Sequence, residues 1–103
     1  MEATTSYFKE NIVPKIEKYY SITFSTFIEE NIIGLGNLDR FEIEGDSFLG
    51  GVEFWSRGWL GIHLINLTSD DEIFNILISP DQNIKKIEML KKLEDILLNP
   101  DLI

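Results

Sequence analysis

The sequence predicts an α+β domain: two N-terminal helices, a four-stranded antiparallel meander, and a C-terminal helix packed on one sheet face. Three observations predict it. Near both ends of the chain apolar residues recur at helical spacing, as on one side of a helix. Between Arg40 and Ser79 they alternate with other residues, as in strands that bury one face. Short runs rich in Gly, Asp and Ser punctuate the alternating stretches, as turns do. With 103 residues, the chain is read as a single domain spanning 1–103.

Thr4, Thr5 and Ser6 offer a cap to a first helix from Tyr7 to Tyr20, whose stripe is Phe8, Ile12, Ile16 and Tyr20. Pro14 lies inside it and lacks a backbone donor, so a kink or a late start is expected. Tyr20 to Ser25 alternates like a strand and is rich in aromatic and β-branched residues, but is taken as a connector. Thr26 with Glu29 forms a capping box, and Gly34 a stop, for a second helix from Phe27 to Ile33. Arg40 to Glu44 is the first strand, with Phe41 and Ile43 inward.

Gly45-Asp46-Ser47 turns the chain into a strand from Phe48 to Trp55, in which Gly50-Gly51 marks a bulge or a close approach of another backbone. The stretch from Val52 to Leu67 organises the domain. With Ser56-Arg57-Gly58 as its loop, Trp55 faces Trp59, Phe54 faces Leu60 and Glu53 faces Gly61. Val52, Phe54, Leu60, Ile62 and Leu64 then share the core face. Glu53, Trp55, Trp59, His63 and Ile65 share the other. After a turn at Thr68 to Asp71, Glu72 to Ser79 is the last strand, with Phe74, Ile76 and Ile78 inward and Ile73, Asn75 and Leu77 outward. Ser79 as cap, Pro80 at the first helical position and Gln82 closing the box open a helix from Pro80 to Leu98. Its stripe is Ile84, Ile87, Leu90, Leu93 and Leu97, and Asn99-Pro100 ends it.

The net charge of −9 is localised. Residues 1–20 carry three acids and three bases, and residues 82–103 four of each. Between Ser21 and Asp81 eleven acids meet only Arg40 and Arg57. Such a field repels nucleic acid and anionic membrane and draws in cationic partners, while also keeping a small domain soluble. The lack of cysteine excludes a disulfide framework and a thiol nucleophile, and no apolar run reaches the roughly 20 residues of a membrane span. A cytosolic protein is expected, the first residues having no signal pattern.

No catalytic motif or cofactor motif is present, and neither an enzyme nor a metal or cofactor site is expected. His63, the sole histidine, has Glu53 nearby across the hairpin but no nucleophile to serve. Asp70-Asp71-Glu72 with Asp81 lacks the ligand order of a calcium loop, and Gly34-Leu35-Gly36 follows a helix where a phosphate cradle follows a strand. Lys85, Lys86, Lys91 and Lys92 are balanced by acids and read as the outer face of the last helix. Trp55 and Trp59 either staple the hairpin or anchor an interface. The candidate partner-binding set is Glu42, Glu44, Glu53, Trp55, Trp59, His63, Asp70, Asp71 and Glu72.

In size, in its isoleucine-rich acidic composition, and in its order of helix, strand with G-V-E-F-W, glycine turn at Gly58, strand and terminal helix, the chain resembles small immunity proteins of bacterial contact-dependent growth inhibition systems. The resemblance implies a cytosolic protein that binds one cognate toxin domain, often a nuclease, and covers its active site or a nearby surface. The alternatives are a phage-type inhibitor that mimics nucleic acid and a small-ligand-binding domain with a pocket near His63.

Overall fold

In the computed structural model, residues 2–28 and 34–102 are described. Thr4 caps the N-terminal helix, its hydroxyl accepting from the Tyr7 amide at 3.1 Å. That helix runs as an α-turn, Thr5–Tyr7, a π-helical stretch, Phe8–Ile12, and a last α-turn, Val13–Ile16. Pro14 accounts for the widening. It has no N–H to give the carbonyl one turn back and its ring crowds that carbonyl, so the preceding turn opens to accommodate it. The helix ends before Tyr20, yet its stripe holds: Phe8, Ile12 and Ile16 are fully buried.

Five strands follow where four were expected: β1 Ser21–Phe27, β2 Leu38–Glu44, β3 Phe48–Trp55, β4 Leu60–Asn66 and β5 Glu72–Ile78. They form one antiparallel meander in the order β1-β2-β3-β4-β5. The supposed connector at Tyr20 to Ser25 supplies most of β1. Thr26 does not open a helix, because its hydroxyl donates across the sheet to Asp39 Oδ1 at 3.2 Å. Phe27, expected in a second helix, ends β1, and residues 29–33 of that expected helix lie outside the described residues.

The central hairpin has the register read from the sequence, Phe54 opposite Leu60 and Glu53 opposite Gly61, with the Trp55 amide bonded to Trp59 O at 3.0 Å. At Gly50-Gly51 the ladder is unbroken, so the glycines serve close approach and make no bulge. A Cβ on Gly51 would stand 2.7 Å from Phe41 O, too close for any side chain. The irregularity falls instead between Leu64 and Ile65, opposite β5. It takes Ile73 out of the alternation, so this side chain packs against the core where it was expected to point outward.

The C-terminal helix is Asn83–Leu98, starting later than expected. Ser79 gives its hydroxyl to Asp81 Oδ1 and caps no amide, and residues 80–81 form a turn. That hydrogen bond also holds the Asp81 carboxyl below its ordinary pKa. The inward stripe is Lys86, Leu90, Leu93 and Leu97, which leaves Ile84, two residues from Lys86, on the opposite side and 76% exposed. Lys86 is the second correction in this helix. It is only 6% exposed, and its ammonium donates to Gly58 O at 2.5 Å and Pro80 O at 3.3 Å, tying the hairpin loop to the helix start.

Both helices cover the same sheet face and are linked by Lys15 and Glu94 at 3.2 Å. Phe41, Ile43, Val52, Phe54, Leu60, Ile62, Leu64, Phe74 and Ile78 meet the helix stripes in one apolar cluster. Each such side chain contributes about 1.5–3 kcal/mol relative to exposure. No described helix is long and apolar enough to cross a membrane.

Candidate functional site

Because side chains alternate across a strand, the face opposite the two helices presents its own set of residues, and no described helix covers it. Two cross-strand rows define most of that open face. One runs Ser21, Glu44, Leu49, Ile65, Glu72, and the next Thr23, Glu42, Gly51, His63, Asn75. Glu42, Glu44, His63, Asn75 and Glu72 are exposed, as are Leu49 and Ile65. Gly51 has no side chain, and the His63 ring lies over it: a Cβ there would be 3.0 Å from its Cε1. A shallow hollow of about 310 Å³ forms beside the ring, lined by Thr23, Glu42, Glu44, Leu49 and Ile65 among others.

No described cation lies within ion-pairing distance of Glu42, Glu44 or Glu72. Asp70 and Asp71 stand at the same end, in the β4–β5 turn, where the Leu67 amide bonds Ser47 O and joins it to the turn carrying Asp46. Glu72 reaches the open face only through the irregularity at Ile73, since strict alternation from Phe74 would have turned it inward.

The tryptophan end differs. Leu49 and Trp55 are six residues apart on β3, about 20 Å at ~3.3 Å per residue, so the acids and indoles expected side by side stand at opposite ends of the sheet. Glu53, expected to face a partner, is engaged by Arg40, whose Nε and Nη2 reach Oε2 at 3.1 and 2.9 Å. The Arg40 guanidinium also lies 5.0 Å from the Phe27 ring. With its carboxylate so held, Glu53 does not orient His63 as a general base would require. Trp55 and Trp59 are both half-buried. The segment 34–37 runs beside Trp55, with Ser56 N–H bonded to Asn37 O and Arg57 N–H to Leu35 O. The Trp55 Nε1–H is buried and finds no acceptor among the described residues.

A larger cleft of about 570 Å³ opens at this end, lined by Trp55, Trp59, Asp39, Asn83 and Lys86 among others. Two of its charged groups, Lys86 and Asp39, already have partners. Lys86 holds two carbonyls, and Asp39 accepts from Thr5 Oγ1 at 2.8 Å and from Thr26. No group of three or more His, Asp or Glu among the described residues converges to hold a metal ion. The arrangement therefore lends itself to surface recognition: apolar side chains among carboxylates without a described ion-pair partner, on a sheet face that no described helix covers.

Sequence reasoning missed Leu49, Thr23 and Ser21 at this face, and Arg40 as the partner of Glu53. The signal for β1 was present in the alternation of Ser21 to Phe27. Comparison of the chain with protein-family models, with curated proteins and with solved structures gives no match.

Proposed function

We propose that this chain is an immunity protein that binds a cognate bacterial toxin domain in the cytosol and blocks it with the open sheet face. A nuclease is the toxin class that fits best, because its substrate groove is cationic and takes a carboxylate-rich surface as it would a phosphate backbone. The observation that carries the reading is the juxtaposition of Glu42, Glu44 and Glu72, unpaired among the described residues, with exposed Leu49, Ile65 and Leu77 on a face that no described helix covers. The carboxylates steer encounter with the toxin's Lys and Arg side chains, and the apolar groups supply the water-excluding contact. Glu53 contributes through its pair with Arg40, which presents a neutral unit. Trp55 adjoins the far end of the same face.

The test is binding to the product of the gene directly upstream, with the triple variant Glu42→Lys, Glu44→Lys and Glu72→Lys beside the parent chain. The parent should bind and protect, and at low salt the variant should associate about tenfold more slowly or worse, with a smaller change in dissociation. Equal association rates for the two chains would refute the electrostatic mechanism, and a parent that neither binds nor protects would refute the function.

A further inference from the structure

We propose that β1 is a pairing edge through which two copies of this chain join their five-stranded sheets into one. β1 ends the strand order, so β2 satisfies only one of its sides. The Gly45 amide bonds Phe48 O at the β2–β3 turn, which directs the backbone groups of Asp39, Phe41 and Ile43 toward β3 and those of Leu38, Arg40, Glu42 and Glu44 toward β1. Their register partners Ser21, Thr23, Ser25 and Phe27 therefore bond β2. The N–H and C=O groups of Ile22, Phe24 and Thr26 point away from the sheet. No turn, loop or cap bond among the described residues reaches them.

Natural edge strands are blunted by charge, proline, bulges or shortness. β1 has seven residues in unbroken register and none of these devices. From Tyr19 to Ile28 there is no charged residue at all, and exposed Tyr19, Phe24, Phe27 and Ile28 concentrate there. Lys9 lies 4.1 Å from the Phe24 ring and the Glu53-bound Arg40 5.0 Å from the Phe27 ring, while Phe41 packs on Phe24 at 4.8 Å.

Charge selects the occupant. Two chains of net charge −9 can meet only where their acids stay out of the contact, and β1 is such a place. The other free edge, β5, is flanked by Asp70, Asp71, Glu72 and Asp81, so that self-pairing there would set acid near acid. About a two-fold axis through Phe24, each Ile22 faces Thr26 of the second copy, each Thr23 faces Ser25, and the two Phe24 residues face one another. The three outward residues then exchange about six main-chain hydrogen bonds, two for each narrow pair. This goes beyond toxin binding, since pairing at β1 leaves both open faces accessible on the same side of the joined sheet.

Sedimentation equilibrium of the full chain, of Thr26→Pro and of Phe24→Lys tests it. The parent should show a species of twice the 11.9 kDa chain mass that dissociates on dilution. Thr26→Pro deletes an outward donor and leaves the internal ladder whole, as proline does at an edge, and should raise the dissociation constant about tenfold or more. Phe24→Lys sets two ammonium groups face to face and should abolish the dimer. Hydrogen exchange of the parent gives a readout free of folding defects: the amides of Ile22, Phe24 and Thr26 should slow with rising concentration. A parent chain monomeric up to millimolar concentration, exchange at these amides that ignores concentration, or a dimer unaffected in both folded variants would each overturn the proposal.

Discussion

The two faces of one sheet obey different rules although their residues are neighbours in sequence. On the covered face the row Phe41, Val52, Ile62, Ile76 packs toward the helices, while Phe24 at its β1 end stays exposed. One residue along, the row Thr23, Glu42, Gly51, His63, Asn75 looks to solvent. The covered face has little chemical variety, because anything but close-packed hydrocarbon there costs stability. The open face mixes acid, imidazole, amide and exposed aliphatic groups, which folding alone does not demand. The contrast separates what holds the molecule together from what is available for recognition.

The largest effect that sharpens the contrast is expected from Ile62→Ala, in the middle of the covered row. It should cost about 2–5 kcal/mol through lost burial and the cavity left behind. Thermal unfolding should register each kcal/mol as about 4–8 °C in Tm. A loss below about 1 kcal/mol would mean that the covered face is less tightly packed than its burial states.

Tyr20→Phe comes next. The Tyr20 hydroxyl donates to Leu97 O at 2.7 Å, joining the start of β1 to the end of the C-terminal helix, and its loss should cost about 1 kcal/mol. Burial raises the Tyr20 pKa above the ordinary tyrosine value. The unfolded chain therefore releases this proton first, at about pH 10, and the folded chain only at higher pH. Below that pH the stabilisation is complete, and it is lost as pH rises through the folded value. Urea unfolding across this alkaline range should show a decline in stability for the parent that is shallower in Tyr20→Phe. Equal slopes would remove Tyr20 as its source.

The smallest effect belongs to the open face. Leu77 is 55% exposed there, and Leu77→Ser should change stability by no more than about 0.5 kcal/mol while weakening partner binding. A large drop in Tm for this variant would break the contrast, since the open face would then be structural.

Much of this was legible because alternation and helical spacing are local. The hairpin register, the inward set on β2 to β4 and the stripe of the N-terminal helix all follow from side-chain direction, which the backbone imposes residue by residue. β1 was misjudged because the same residues satisfy two patterns. Thr26 with Glu29 has the spacing of a capping box, and it was the cross-strand partner Asp39 that claimed the hydroxyl. The candidate site divided for a similar reason. Residue types suggested acids beside tryptophans, but position along a strand sets their separation, and the indoles belong to the hairpin end.

By itself the sequence determined the fold class, the sheet's two-sidedness, the confinement of the charge to the middle of the chain and the absence of catalytic motifs. Each of these is a property of composition or of short-range period. Only the tertiary structure decided that Arg40 occupies Glu53, that Lys86 is buried against two carbonyls, that the irregularity at Ile73 delivers Glu72 to the open face, and that β1 is left as an uncharged edge. Those outcomes depend on which groups meet across strands and layers, and on the desolvation each meeting requires, which no window of neighbouring residues contains.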